Sequence, residues 1–389
     1  WINENPLPFL FWKTMKYSRT VNHCLKHLSL YYFHFFYLCE NRKQLTMLTS
    51  GEIKQLFRDF ENSRILIIGD IMVDAYIWGT VNRISPEAPV PVVAVKKREN
   101  RLGGAANVAR NIKALGAEPV LCSLIGEDIK GREFLELLDA EGMTKEGIVQ
   151  SPDRITTTKF RVLGNNSQML RVDEEITTSI SEKEKEVFIK RITELVEKQD
   201  IHALIFQDYD KGVIDKDVID EVTSLARRKS IPVAVDPKKN NFMYYKNATL
   251  FKPNLKELKE GTKTDFEVTD RKALERAVDI LQKELTCDIL MVTLSEKGIF
   301  VKYQFDGEVE TYKEPAHERQ IADVSGAGDT VISTAALCLA QKLTPEDMAT
   351  ICNLAGGLVC EEAGVVPVEK EKLIKEVKKI YDVQSEDES

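Results

Sequence analysis

The sequence predicts an α/β protein: a doubly wound, mostly parallel sheet with helices on both faces, carrying a small antiparallel β lid. Three observations lead there. From Ser63 onward, short β-branched runs alternate with helical periods, the pattern of a parallel sheet covered on both sides. Helix starts are marked between those runs: Ser181 with Glu184 three residues on forms a capping box, and Thr344 followed by Pro345 opens another helix. Two further stretches have strand composition but no helix to tie them to the main sheet.

The expected strands of the main sheet are residues 65–68, 120–124, 203–206, 233–235, 249–251 and 289–292. The lid is expected from residues 77–102 and 156–172. The first contains Pro86, Pro89 and Pro91 and the alternating Val90, Val92, Val93 and Val95. The second runs Thr156, Thr157, Thr158, Phe160 and Val162, turns at residues 164–166, and returns through Met169, Leu170 and Val172. Such an appendage either covers a site at the strand ends or serves as a dimer-forming flap.

One domain, residues 47–381, is expected to hold all of this. It opens with a capped amphipathic start, Thr49 or Ser50 before Glu52, Ile53, Leu56 and Phe57. The acidic residues 382–389 are expected to be a disordered tail. Residues 1–46 read differently: they hold 11 aromatic residues and three of the five histidines. Their apolar stretch at residues 28–39 is too short to span a bilayer and lacks a signal-peptide cleavage pattern. The segment is expected to be a translated leader outside the fold, with start at Met47; the alternative is a membrane-surface anchor.

Composition narrows the class. With 43 % hydrophobic and 30 % charged residues, the chain can bury a large core without disulfide staples. Its seven cysteines are scattered and never spaced as CxxC, which points away from a disulfide framework or zinc site and towards a reducing cytoplasm. A net charge of −8, with no basic stripe, argues against a nucleic-acid surface. Small anionic substrates need only a few local cations.

Two glycine-rich elements carry the chemistry. Asp323-Val324-Ser325-Gly326-Ala327-Gly328-Asp329-Thr330 runs straight into the helical period Val331, Ile332, Ala335, Leu339. Residues with little side chain at a helix N-terminus expose backbone N–H groups, and the helix dipole adds positive charge where a transferring phosphate would sit. A carboxylate one residue on makes sense if it accepts a hydroxyl proton beside that phosphate. Taken alone, the element reads equally as a tight turn with a helix cap. The second is Gly103-Gly104-Ala105-Ala106-Asn107-Val108-Ala109, followed by Gly116 and Gly126. It too precedes a helix, and alone reads as close helix–strand packing with Asn107 as a cap.

Together the two elements resemble the paired signatures of the ribokinase-like (PfkB) carbohydrate kinases, over nearly all of residues 65–368. The signature at residues 103–109 fits in full; that at residues 323–334 fits through Asp329 and Ser333 and departs at Thr334, where the common pattern has Ala or Gly. The resemblance implies ATP and Mg2+ as cofactors and Asp329 as catalytic base, with Gly326, Ala327 and Gly328 as the anion hole. Asp74, Gly103, Gly104 and Asn107 would bind sugar hydroxyls. Asn254 and Glu257 match the family's Asn-x-x-Glu motif, which implies that Glu257 organises magnesium through water. Lys238 would meet ATP phosphates. Thr293, Ser295 and Gly298, with Asn353 and the following residues to 357, would wall the adenine.

A finer resemblance, to the heptose 7-phosphate kinase branch, rests on Gly69-Asp70-Ile71-Met72-Val73-Asp74, Asn82-Arg83-Ile84-Ser85-Pro86-Glu87-Ala88-Pro89-Val90-Pro91-Val92, Gln207-Asp208-Tyr209-Asp210-Lys211-Gly212 and Asp236-Pro237-Lys238. It implies phosphorylation of heptose 7-phosphate to heptose 1,7-bisphosphate, for ADP-heptose and lipopolysaccharide core synthesis. The bifunctional members add a nucleotidyl-transfer domain with a His-x-Gly-His motif, absent from this sequence, so a stand-alone kinase is expected. Arg83, Arg110, Lys159, Arg161, Arg171 and Lys211 are the candidate cations for the substrate's phosphate; two or three are expected to be ligands and the rest solvated charges. A homodimer through the lid sheets is expected. The competing readings are another phosphosugar kinase of this fold, such as one for a fructose phosphate, and a non-catalytic sugar- or nucleotide-binding regulator.

Overall fold

The computed structural model describes residues 48–387 apart from 166, 306 and 307, so the expectations for residues 1–46 lie outside the described residues. In chain order the elements are α1 (Ser50–Asp59), β1 (Arg64–Gly69), β2 (Ile71–Ile84), β3 (Pro91–Gly104), α2 (Ala105–Ala114), β4 (Glu118–Gly126), α3 (Ile129–Ala140), β5 (Ile148–Ser151), β6 (Thr158–Gly164) and β7 (Ser167–Glu174). Then follow α4 (Glu182–Lys198), β8 (Ala203–Gln207), α5 (Lys216–Arg228), β9 (Val233–Asp236), β10 (Leu250–Phe251), α6 (Leu255–Thr262), α7 (Arg271–Leu285), β11 (Ile289–Thr293), β12 (Ile299–Phe305), β13 (Glu308–Glu314), α8 (Ala327–Ala340), α9 (Pro345–Val359) and α10 (Lys370–Asp387).

Nine strands form the main sheet in the order β13-β12-β11-β10-β9-β8-β1-β4-β5. From β11 to β5 all pairs are parallel; β12 and β13 add an antiparallel edge. All six expected strands are present. β1 is an interior strand, with Ile65, Leu66, Ile67 and Ile68 wholly buried, as a strand covered by helices on both faces must be. The chain proceeds from β1 outward to β4 and β5, then returns to lay β8, β9, β10 and β11 on the other side. The β1–β8 boundary is therefore the topological switch point, where open α/β sheets bind ligands at the carboxyl ends of their strands.

The helix starts behave as their caps dictate. Thr49 and Glu52 make a reciprocal capping box for α1, Ser181 and Glu184 do so for α4, and Thr344 caps α9 ahead of Pro345. Lys185 of α4, itself buried, is held among Glu182, Asp215 and Asp217, which ties α4 to the start of α5.

The lid is a four-stranded sheet, β3-β2-β6-β7. It consists of two antiparallel hairpins, β2–β3 and β6–β7, joined side by side through a parallel β2–β6 pair. It is longer than the sequence suggested: β2 starts at Ile71, straight after β1, because Ile71, Met72 and Val73 are buried at its root. Pro86 and Pro89 lie in the turn between the hairpin's strands, and Pro91 is the first residue of β3, where a missing N–H is tolerated. Helix α10 covers residues 382–387 of the expected tail, and residues 388–389 lie outside the described residues. Leu373, Val377 and Tyr381 are buried, and the helix they anchor runs on to Asp387. Among the described residues Cys122, Cys287, Cys338, Cys352 and Cys360 are free and buried, and no helix is long and apolar enough to cross a membrane.

Candidate active site

At the switch point β1 and β8 come so close that a side chain on Gly69 would run into the Gln207 carbonyl. β1 ends there, and Asp70 next to it is fully buried. Its carboxylate accepts the backbone N–H groups of Tyr209 (2.8 Å), Lys211 (3.1 Å) and Val213 (3.1 Å), fixing the loop after β8. Burial, and then the charge of Asp208, push its pKa up to about 6 against those three bonds.

That loop delivers two side chains to Asp329, in the first turn of α8. Asp329 Oδ1 accepts from the Tyr209 hydroxyl at 2.6 Å and Gln207 Nε2 at 3.2 Å; Oδ2 accepts from Asn107 Nδ2 at 2.8 Å. Burial is the largest influence on this carboxyl and raises its pKa to about 6; the bonds from Asn107 and Tyr209, and Lys252 nearby, favour the carboxylate, while Asp236 adds to the rise. Tyr209 is held well above the ordinary phenol range by its own burial and by Asp329, so it stays a protonated donor. The arrangement leaves an ionised, oriented carboxylate at neutral pH, as a general base requires. Asn107 Oδ1 and Gln207 Oε1 are buried beside it without a protein partner, two acceptors suited to hydroxyl groups of a ligand.

The glycine turn behaves as an anion cradle in part. Gly326 takes a left-handed φ of 85° as N-cap of α8, a conformation that favours glycine. The N–H groups of Gly328 and Asp329 fall in the first helical turn and have no intrahelical acceptor, whereas Ala327 spends its own on the Val324 carbonyl at 3.4 Å. Behind Gly328 sits a buried pair, Lys252 Nζ to Asp236 Oδ1 at 2.9 Å; a Cβ on Gly328 would lie 3.8 Å from the Lys252 ammonium. Asn107 is not a helix cap: Gly104 holds that position with φ 61°, and Asn107 points from the buried side of α2 to Asp329. Asn111 completes the α2–α8 joint, accepting from the Thr330 hydroxyl at 3.0 Å. Thr334, where the motif departs, returns its hydroxyl to the Thr330 carbonyl and leaves the packing intact.

Other residues singled out in the sequence divide into groups. Asp74 and Gly103 are together at the root of the lid, where a Cβ on Gly103 would meet Asp74 Oδ2 at 2.5 Å. Lys238 Nζ bonds Glu257 Oε1 at 2.6 Å and lies 5.7 Å from the Tyr209 ring centroid, which joins the α6 start to the base. Asn254 and Glu257 form the capping box of α6, and Asn254 also bridges to Thr293. Ser295 and Gly298 bound a short 3-10 turn, with left-handed φ of 54° and 86°. Asn353 donates to the Pro315 carbonyl at 2.7 Å.

Most of the basic candidates have partners of their own, Arg161 bonding Asp74 at the root of the lid. Lys159, Lys211 and Arg171 are engaged by Asp173 and Glu175 on the lid, Arg83 is exposed towards its far end, and Arg110 pairs with Glu141. Tyr209, Gln207, Asp236 and Lys252 were not singled out as site residues. Gln207, Tyr209 and Asp236 stood in the quoted motif segments without a role, and all four lie at or just past the carboxyl end of a strand.

As for metal, no group of three acidic, His or Cys side chains is gathered to hold an ion among the described residues. Glu257 accepts from Lys238 on one oxygen and from the Asn254 N–H on the other. Each keeps a lone pair for water, which fits an indirect role beside a hydrated Mg2+.

A buried carboxylate at a helix start, N–H groups without acceptors in the same turn and a covering lid, at the switch point of a parallel sheet, are features of a sugar kinase of the ribokinase-like fold. The chain belongs to the pfkB family of carbohydrate kinases, whose model matches residues 62–372. It is 37 % identical over 326 residues to "Bifunctional protein HldE" of Citrifermentans bemidjiense, covering 84 % of this chain and 66 % of that protein. The protein of the same name from Wolinella succinogenes is 40 % identical over 300 residues, covering 77 % and 61 %. The chain thus spans less than two thirds of the length of these relatives. Among solved structures, phosphofructokinase-2 from Escherichia coli in complex with potassium superposes with TM-score 0.66 at 18 % identity, over 82 % of this chain and 99 % of that one. Ribokinase from Arabidopsis thaliana complexed with ribose and ATP gives 0.62 at 18 %, over 80 % and 99 %.

Proposed function

We propose that this sugar kinase transfers the γ-phosphoryl group of ATP to the anomeric hydroxyl of heptose 7-phosphate, yielding heptose 1,7-bisphosphate. The observation that carries the transfer chemistry is the Asp329 carboxylate, buried and aimed by Asn107 and Tyr209 at the N-terminus of α8. Asp329 takes the hydroxyl proton as the oxygen attacks phosphorus; Gly326 and Gly328 cradle the transferring group, and the Lys252 ammonium behind them adds positive charge. Asp74, Gly103, Gly104 and Asn107 hold the sugar. Lys238 contacts the ATP phosphates, Thr293, Ser295, Gly298 and Asn353 border the adenine, and Glu257 orients, through water, the Mg2+ that neutralises the phosphates.

Heptose is supported by the motif resemblance of the lid and of the loop after β8, with a cytoplasmic role in ADP-heptose and lipopolysaccharide core synthesis. The likeness to phosphofructokinase-2, solved also with fructose-6-phosphate, keeps a fructose phosphate as the second reading. The lid's outer face, with Val95, Leu170 and Val172 exposed, suits a homodimer in which the sheets cover one another. The test is ATP consumption with heptose 7-phosphate, free heptose, fructose 6-phosphate and ribose at matched concentrations. Heptose 7-phosphate is expected to exceed free heptose by more than about 10²-fold in kcat/KM, since a phosphate held by two or three charge-assisted bonds contributes several kcal/mol. Faster use of fructose 6-phosphate would replace heptose as the substrate.

A further inference from the structure

Side chains alternate along β2, so Asp74, Tyr76 and Trp78 share one face of the lid. The register adds Arg101 and Glu99 from β3, and Lys159 and Arg161 from β6, to that same face. It faces the cleft: the Arg101 guanidinium lies 3.6 Å from where Gly364 would carry a Cβ, and the Gly364 N–H donates to Asp323, which opens the glycine turn.

Arg101 and Arg161 come from strands on opposite sides of β2 and converge on one ring, their guanidinium carbons 4.9 and 5.3 Å from the Tyr76 centroid. Tyr76 stacks on Trp78, with centroids 6.0 Å apart. The Trp78 indole N–H is buried and has no acceptor. Each guanidinium bonds its own carboxylate through a single nitrogen, Arg101 Nε to Glu99 at 2.6 Å and one terminal nitrogen of Arg161 to Asp74 at 2.5 Å. The terminal N–H groups of Arg101 remain for another acceptor. The neighbouring cations differ: Lys159, Lys211 and Arg171 are closed into a network with Asp173 and Glu175.

We propose that Arg101, Arg161 and the Trp78 indole N–H form the subsite for the phosphate that the substrate already carries. A phosphate monoester dianion offers only acceptors, and the unengaged groups here are donors: N–H groups of two planar forks, each bonded once to its Glu99 or Asp74 partner, and one neutral N–H, on an aromatic platform that holds the forks in place. The proposal rests on the phosphosugar reading above; of the six cations first considered it keeps Arg161, and it adds Arg101 and Trp78 from outside them. Arg161 has a second task, since its bond to Asp74 links phosphate occupancy to the carboxylate that would read a sugar hydroxyl.

The experiment measures, on the full chain, the ratio of kcat/KM for each phosphosugar to that for its unphosphorylated counterpart. Wild type is compared with Arg101→Ala, Arg101→Lys, Arg161→Ala and, as a control, Arg171→Ala, each checked for unchanged circular dichroism and melting. The ratio is expected to fall at least tenfold in Arg101→Ala and Arg161→Ala, less in Arg101→Lys, and by under threefold in Arg171→Ala. A ratio unmoved in Arg101→Ala overturns the subsite; so does a ratio that falls as far in Arg171→Ala. If Arg101→Ala does not fold, Arg101→Lys decides, and an unmoved ratio there overturns the subsite. If wild type prefers fructose 6-phosphate, the heptose reading fails and the subsite is judged on that sugar's ratio. A wild type that turns over only unphosphorylated sugars overturns both.

Discussion

The floor of the site and its lid are built on opposite terms. At the floor, Asp329, Asn107, Gln207, Asp236 and Lys252 are buried and bond one another, and buried Asp70 is held by three backbone N–H groups. On the lid, charges lie on a half-exposed sheet, each partnered by a neighbour two residues along its own strand or on the next strand, and the opposite face is apolar and open. The floor is thus rigid before any ligand arrives, which is what electrostatic stabilisation of a transition state requires. The lid's bonds exchange readily with water or ligand, which suits selection. Substitutions in the floor should therefore act on kcat, and those in the lid on KM and assembly.

The sharpest way to break this division is at the base. Asp329→Asn keeps shape and removes the proton acceptor, so kcat is expected to fall about 10²–10⁴-fold with ATP affinity little changed. Steady-state kinetics with a nucleotide titration checks it, and a kcat within threefold of wild type would remove Asp329 from the chemistry.

A smaller effect tests how the base is tuned. With Asp329 as the proposed base, the form that acts is the carboxylate; its pKa is raised to about 6, so kcat should decline as pH falls through about 6. Tyr209→Phe deletes a bond that favours the carboxylate, so the pKa must rise further and the acidic limb move to higher pH, with kcat at neutral pH about tenfold lower. A pH–rate profile that keeps its acidic limb in the variant would show that Tyr209 only fills space.

The smallest effect on the folded chain belongs to the lid. Val95→Asp or Leu170→Asp places a charge on the exposed apolar face, at a cost to protomer stability within about 0.5 kcal/mol. Sedimentation is expected to show dimers for wild type and monomers for these variants, with the acidic limb unchanged. A wild type that stays monomeric at micromolar concentration would contradict the lid-to-lid pairing.

What the sequence disclosed follows the same division. Strands such as β1, with Ile65 to Ile68 buried on both sides, are continuous apolar runs and were legible. β12 and β13 were not, because an edge hairpin alternates residues such as Val301, Lys302 and Tyr303, or Glu310, Thr311 and Tyr312, and β5 is only four residues long. The glycine turns announced the floor because Gly326 and Gly104 need left-handed backbone. Tyr209 reaches Asp329 across 120 residues, and Arg101 meets Arg161 only because β3 and β6 flank β2. No local spacing encodes either meeting. Lys159, Arg171 and Lys211, conspicuous in sequence, are engaged by Asp173 and Glu175, and it is the pairing of β6 with β7 that sets Asp173 opposite Lys159.

The parallel β2–β6 pair has a consequence for how this enzyme can be changed. The two hairpins that make the lid leave the chain at Ile71 and at Thr158, with α2, β4, α3 and β5 between them, and their seven paired positions run from Val73 with Thr158 to Gly79 with Gly164. Neither hairpin is a self-sufficient cassette. A transplant of one alone would set a foreign edge against Asp74–Arg161 and the Tyr76 platform, so recombination towards a new substrate has to cross over at both places at once.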